Sequence, residues 1–304
     1  MAAAAQSHAS NGSATSGLTP EHLRAIETIK REGFVLLPNV LTQAECDHYA
    51  GLMQKLGERS KTYIGGYLRE SDIVEKQLGF SKLLDRPETY PIVKSMLGGW
   101  ARMMSTEAII RTKTDDDPVR WHEDGPNCPP YRSLAVPTPT LQMKIGYFLN
   151  DVEGENGNLV VMPKSHLLPN GPPADLPQGV GAKGALAIQA KAGTAVIFHS
   201  AVWHCVLPNK SDTPRKSLYY GYCLPWMAPF DRSASSPQLR SLLTGERRNL
   251  LMDFEHPGTN WVLIKETWRG DPKLAAAGYV RMGAELAVRR LKKLKRTILG
   301  NSIN

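Results

Sequence analysis

The stretch "GTAVIFHSAVWHCVLPNKSDTPRKSLYYGYC", residues 193–223, holds three short β-favouring runs, 194–199, 202–207 and 215–223. Pro208, Asn209, Asp212 and Pro214 punctuate the gap before the last of them. β-Branched and aromatic residues dominate the runs and turn formers separate them, which is the pattern of strands joined by loops. No helical crossover fits between them, so antiparallel pairing is expected rather than a parallel α/β sheet. Working outward, the same character covers 101–112, 117–123, 139–149, 158–162 and 185–190. Eight such runs predict a mainly β core with flanking helices, a sandwich or jelly roll.

The helices are expected ahead of that core. Thr19-Pro20 gives a capping hydroxyl and a first-turn proline for a helix reaching about Gly33, followed by "FVLLP" as a buried strand. Leu41-Thr42 with Glu45 has the staple and capping-box layout of a second helix, to about Leu56. Residues 71–97 read as short helical pieces broken at Pro87 and Pro91. The Ala/Ser/Gly-rich residues 1–18 read as a disordered tail, and 19–304 as one domain in three parts: 19–99 helical, 100–225 the β core, 226–304 a lid-like segment and a C-terminal helix. The Pro/Gly-rich loop "HLLPNGPPADLPQGVGAKG", 166–184, is expected to overhang a mouth of the core.

Composition limits the classes of function. The chain has 304 residues, 41% of them apolar, enough for a packed core. No run approaches the roughly 20 apolar residues of a membrane span and no secretory signal is visible, so a cytoplasmic location is expected. Cys46, Cys128, Cys205 and Cys223 are scattered without a CxxC pair, which predicts reduced thiols rather than disulfides or a zinc knuckle. The net charge of +8 is concentrated in Arg289, Arg290, Lys292, Lys293, Lys295 and Arg296, leaving the rest nearly neutral, so no nucleic-acid partner is expected. Apolar residues at 286, 288, 291, 294 and 298 form a stripe by which that helix docks; contact with a membrane or an acidic partner is the alternative.

The chemistry starts at "VRWHEDGPN", 119–127. In an extended segment His122 and Asp124 point the same way and can grip one ion. A second histidine would complete a two-His, one-carboxylate face that leaves positions open on a ferrous ion, and His48, His166, His199, His204 and His256 all qualify on chemistry. Arg215 opens an alternating strand with Ser217 and Tyr219 on its face, a guanidinium, hydroxyl and phenol suited to a carboxylate.

With "WHEDG", "NDVEGENGNLVVMPKSH" and "VIFHSAVWHCVLPNKSDTPRKSLYYGY" in place, the chain resembles the phytanoyl-CoA dioxygenase-like branch of the iron(II)/2-oxoglutarate oxygenases over about residues 20–225. The resemblance implies a double-stranded β-helix, the cupin-like jelly roll. It also implies His122, Asp124 and His204 as iron ligands, Arg215 as holder of the far carboxylate of 2-oxoglutarate, and Met104 as a residue lining the cosubstrate site. His199 competes with His204 but turns to the opposite face of a continuous strand. Pro163-Lys164-Ser165-His166 departs from the family's Pro-Gly-Ser-His.

The implied activity uses iron(II), 2-oxoglutarate and O2 to oxidise an unactivated C–H bond of a small molecule, releasing succinate and CO2. Retention of Asp124 favours hydroxylation over halogenation, because halogenating relatives replace that carboxylate with a small residue. Tyr67, Trp121, Tyr147, Trp203 and Trp226 are the pocket candidates, with Tyr63, Met227, Phe230 and Trp261 as further apolar surface, and they lean toward a largely apolar substrate of natural-product type. Packing is the alternative for each aromatic. A metal-binding jelly-roll sensor or scaffold without oxygenase activity is the alternative function.

Overall fold

The computed structural model describes residues 17–60, 67–99, 101–115, 118–124, 139–232 and 235–251. The chain divides into Met1–Asp253 and Phe254–Asn304, and only the first unit is described below. The expectations for the basic C-terminal helix, Tyr63, Cys128, His256 and Trp261 lie outside the described residues.

Helix α1 (Pro20–Glu32) starts at Thr19, whose hydroxyl accepts from the His22 backbone N–H, while the Thr19 N–H donates to the His22 ring. It stops at Gly33, whose φ of 88° lies in the left-handed region that glycine tolerates. The chain then enters β1 (Phe34–Leu37) and α2 (Gln43–Glu58), the latter capped by the reciprocal Thr42–Glu45 pair. β2 (Leu68–Ser71) was not anticipated; it is four residues at a sheet edge, too short to show an alternating pattern. After α3 (Ile73–Lys76) and a 3-10 turn at Leu78–Leu83, α4 (Tyr90–Leu97) carries Pro91 in its first turn, where a missing N–H costs nothing.

The β core follows as β3 (Arg102–Arg111), β4 (Val119–His122), β5 (Gln142–Phe148), β6 (Leu159–Val161), β7 (Leu186–Ala187), β8 (Ala195–His199), β9 (His204–Val206) and β10 (Arg215–Cys223). Short helices α5 (Pro237–Leu242) and α6 (Gly245–Leu250) come last. All pairings are antiparallel, in a six-stranded sheet ordered β1-β8-β5-β10-β3-β2 and a four-stranded sheet ordered β4-β9-β6-β7. This is the expected mainly β jelly roll. The run expected at 185–190 pairs in the sheet only over Leu186–Ala187, with Ala190 in an isolated bridge to Val152.

Alternation assigns each face of the large sheet. Met143, Ile145, Tyr147, Leu218, Tyr220 and Tyr222 turn toward the helices, burying apolar surface with Tyr49, Phe80 and Ile92. Their phenols are satisfied there: Tyr220 donates to Phe80 O and Tyr222 to Leu84 O, both at 2.9 Å, and Tyr147 shares 2.8 Å with the Thr89 hydroxyl. Burying an aromatic of this size stabilises by about 1.5–3 kcal/mol relative to exposure. The opposite face, through Phe148, Val196 and Phe198, packs on Leu159 and Val161 of the small sheet.

The outer face of the small sheet is covered by the Pro/Gly-rich loop. Leu176 and Ala182 lie with Trp121, Trp203 and Cys205, and the Trp121 indole donates to Pro177 O at 2.8 Å. That corrects the expectation that 166–184 overhangs a mouth: its apolar residues shield two tryptophans instead. Lys164 adopts φ 66° at the place where the family pattern has glycine, a conformation that costs an L-residue about 1 kcal/mol.

Candidate active site

His122 is the last residue of β4 and His204 the first of β9, and the two are direct cross-strand partners with ring centroids 4.2 Å apart. Asp124 follows β4, pinned by its backbone N–H donating to Ser200 O at 2.9 Å. Donor atoms of His122, Asp124 and His204 lie within 4.8 Å of one another. Each imidazole is oriented by its own backbone. His122 Nδ1 donates to Arg120 O at 2.8 Å and His204 Nδ1 to Val202 O at 2.9 Å, which leaves both Nε2 lone pairs for a metal.

Electrostatics favour the ligating protonation states. Burial pushes the His204 imidazole down to about 4, against the pull of Asp124, so it is neutral near pH 7. Burial acts to raise the Asp124 carboxyl, but the Lys144 ammonium above all holds it down at about 2. Lys144, from the middle of β5, places its ammonium 2.7 Å from Asp124 Oδ2. Burial opposes that charge too, and Asp124 with Glu107 outweighs it and raises the Lys144 pKa. Two imidazoles and one carboxylate are the donor types that suit a ferrous ion with open coordination positions.

A cavity of about 110 Å³ is lined by the three donors together with Arg215 and Tyr219. Arg215 is only 1% exposed and burial pushes its pKa below the usual arginine value. Its Nη1 donates to Gly157 O. Arg215 Nε and Ser217 Oγ are buried without a hydrogen-bond partner among the described residues. A guanidinium Nε–H and a hydroxyl that lack an acceptor on one strand face fit a carboxylate. Tyr219 keeps its place because Gly146 stands opposite; a Cβ there would come within 2.7 Å of its ring.

Of the other expected site residues, seven do not line this cavity, Ser217 among them although it alternates onto the same strand face as Arg215 and Tyr219. Met104 is buried but does not line it; β3 has a register irregularity opposite Gly221/Tyr222, and Glu107, Ile109 and Arg111 are the β3 residues that line the donors' cavity. Tyr147 points to the helices, and Trp121 and Trp203 pack outward under the loop, since each alternates with a residue that faces in. Trp226 is 68% exposed. Tyr67 lines a neighbouring cavity of about 320 Å³, which shares Arg111, Val119 and Val206 with the first. His199 is buried in β8, accepting from the Ala201 N–H and packed against the His166 ring, apart from the three donors.

Sequence reasoning missed Lys144, Glu107, Arg69 and Arg111, all of which line the cavity. A lysine within the apolar run of 141–149 was the available signal for the first. Glu107 is engaged by Arg69, Oε1 to Nη2 at 3.1 Å.

A family model described as phytanoyl-CoA dioxygenase (PhyH) matches residues 29–217. Among similar solved structures is the non-heme alpha ketoglutarate dependent epimerase SnoN from nogalamycin biosynthesis, at 20% identity over 74% of this chain and 96% of that one, TM-score 0.55. The carbocyclase SnoK from the same biosynthesis is similar at 19% identity, 79% and 98% coverage and TM-score 0.56. HygX from Streptomyces hygroscopicus, solved with nickel and 2-oxoglutarate bound, is similar at 18% identity, 73% and 94% coverage and TM-score 0.58. At these identities the three structures bear on the fold.

Proposed function

The chain belongs to the phytanoyl-CoA dioxygenase family and is on that footing an iron- and 2-oxoglutarate-dependent enzyme, and from that premise we propose that it oxidises an unactivated C–H bond of a small molecule, with hydroxylation as the outcome. In this reading His122, Asp124 and His204 hold iron(II), and Arg215 with Ser217 and Tyr219 receives the far carboxylate of 2-oxoglutarate. The observation that carries it is one cavity lined both by three metal-type donors and by a buried guanidinium whose Nε has no partner among the described residues. When bound, iron(II) with the keto acid supplies O2 activation coupled to decarboxylation to succinate and CO2.

The chain's own residues prepare that chemistry. Backbone carbonyls at Arg120 and Val202 fix both imidazoles so that their Nε2 atoms need no reorientation. Lys144 keeps Asp124 ionised within a buried site. Phe198, Leu159 and Ile109 are apolar parts of the cavity wall, and a drier cavity strengthens the hold of Arg215 on a carboxylate.

The lean toward an apolar substrate rested on aromatics that pack elsewhere, so the proposal keeps a small molecule and drops that preference. Arg69, Glu107 and Lys144 give the described walls polar character. Among the described residues no helix is long and apolar enough to cross a membrane.

Purified protein given iron(II), 2-oxoglutarate and O2 should release succinate, and Asp124→Ala or His204→Ala should abolish it. Undiminished turnover in either variant refutes the ligand assignment. Zinc retained through purification, with no 2-oxoglutarate-dependent absorption band on anaerobic iron addition, would favour the sensor or scaffold instead. Product analysis against a metabolite panel separates hydroxylation from epimerisation or ring closure, the reactions named for SnoN and SnoK.

A further inference from the structure

Arg111, the last residue of β3, sits directly across from Arg215, the first residue of β10. Both line the metal-donor cavity. Like charges placed opposite each other on adjacent strands destabilise a sheet unless something neutralises them. The two acids of the cavity are already engaged, Asp124 by Lys144 at 2.7 Å and Glu107 by Arg69 at 3.1 Å. Arg111 Nε, like Arg215 Nε, is buried with no partner among the described residues. Two guanidiniums, cross-strand neighbours, thus line one cavity whose own carboxylates are engaged by other cations.

We propose that Arg111 is a second guanidinium for the distal carboxylate of the cosubstrate, so that this carboxylate is gripped from two neighbouring strands. The inference rests on the reading of Arg215 given above. Arg215 is held by its bond to Gly157 O, which fixes its fork and leaves other N–H groups to donate. A carboxylate has about four acceptor directions, more than one fork fills, so Arg111 and Ser217 Oγ can complete its shell. The anion also relieves the repulsion between the two cations. The consequence is selectivity: a keto acid with a distal carboxylate gains from both arginines, while one lacking it gains from neither and leaves them facing each other unpaired.

The test is binding, read by calorimetry on nickel(II)-loaded protein, with 2-oxoglutarate and with 2-oxopentanoate, which keeps the keto-acid end and lacks the distal carboxylate. Arg111→Gln should weaken 2-oxoglutarate by about tenfold or more, the scale of a lost charged hydrogen bond, and leave 2-oxopentanoate unchanged. Arg111→Lys, which keeps the charge and loses the fork, should show a smaller loss with the same selectivity, and it carries the test if the glutamine variant does not fold. Unchanged 2-oxoglutarate affinity, or an equal loss for both ligands, overturns the proposal. Arg215→Gln run in parallel separates the two levels. If it selectively weakens 2-oxoglutarate while the Arg111 variants do not, only the second guanidinium falls. If it too is without selective effect, the Arg215 anchor itself is wrong.

Discussion

Replacing Lys144 with methionine keeps the aliphatic stem and removes the ammonium that faces Asp124. The pair is 2.7 Å apart with side chains 9% and 16% exposed, so the aspartate left behind is a buried carboxylate without its counter-charge. At an effective dielectric near 20 the lost attraction is about 6 kcal/mol, partly offset because an ammonium no longer has to be buried. Breaking a buried pair from one side costs about 3–5 kcal/mol in net terms. For a unit of this size that lowers the melting temperature by roughly 6–20 °C. A divalent cation supplies the missing charge, so the deficit should shrink when metal is added. The assay is thermal unfolding followed by circular dichroism, wild type against Lys144→Met, once in EDTA and once in saturating nickel(II). A large deficit in EDTA that narrows by several degrees with nickel is the expected result. An equal deficit in both conditions means Lys144 only fills space, and no deficit in EDTA means the ion pair contributes nothing.

Asp72 gives a pH-dependent prediction: burial, then the nearby Asp231, raise its carboxyl to about 6 from an ordinary 3.8. Since the folded pKa is the higher one, its contribution to stability is full below about 3.8 and is lost as pH rises through about 6. Asp72→Asn should therefore stabilise by about 1 kcal/mol at pH 7, discounted for partial exposure, and by nothing at pH 3.5, as read from urea midpoints. Its φ of 53° suits asparagine, and its side chain makes no capping bond to lose. Tyr147→Phe should cost about 1 kcal/mol by removing the hydroxyl shared with Thr89 while leaving succinate formation unchanged; a fall in turnover without a fall in stability would return Tyr147 to the active site. Gly146→Ala should destabilise by about 1–3 kcal/mol and weaken 2-oxoglutarate binding, because the new methyl displaces the Tyr219 ring; a fully stable variant would show that the wall yields.

Much of this was legible because a β-strand alternates. The same parity that sets His122 beside Asp124 and turns Cys205 away from His204 also turns Trp121 and Trp203 outward, so those two could have been excluded from the pocket at once. Tyr147 was harder, because its face follows from pairing Gly146 with Tyr219, a long-range register that a single sequence does not display. Met104 was out of reach for a related reason. The irregularity between β3 and β10 breaks the simple count along β3, and Glu107, Ile109 and Arg111, beyond it, line the cavity. The charged residues Lys144, Glu107 and Arg111 were visible as charges in apolar runs, but only folding pairs two of them off and leaves the third facing Arg215.

His122 and His204 belong to strands of the four-stranded sheet and Asp124 lies just past one of them, whereas Arg215 and Arg111 belong to the six-stranded sheet. A dicarboxylate spanning both ends would act as a strut between the layers, its length matched to a gap set by Phe148, Leu159 and Phe198 in the packing between them. Trimming one of those side chains would let the layers approach, and so retune which chain length of keto diacid fits without touching either end of it.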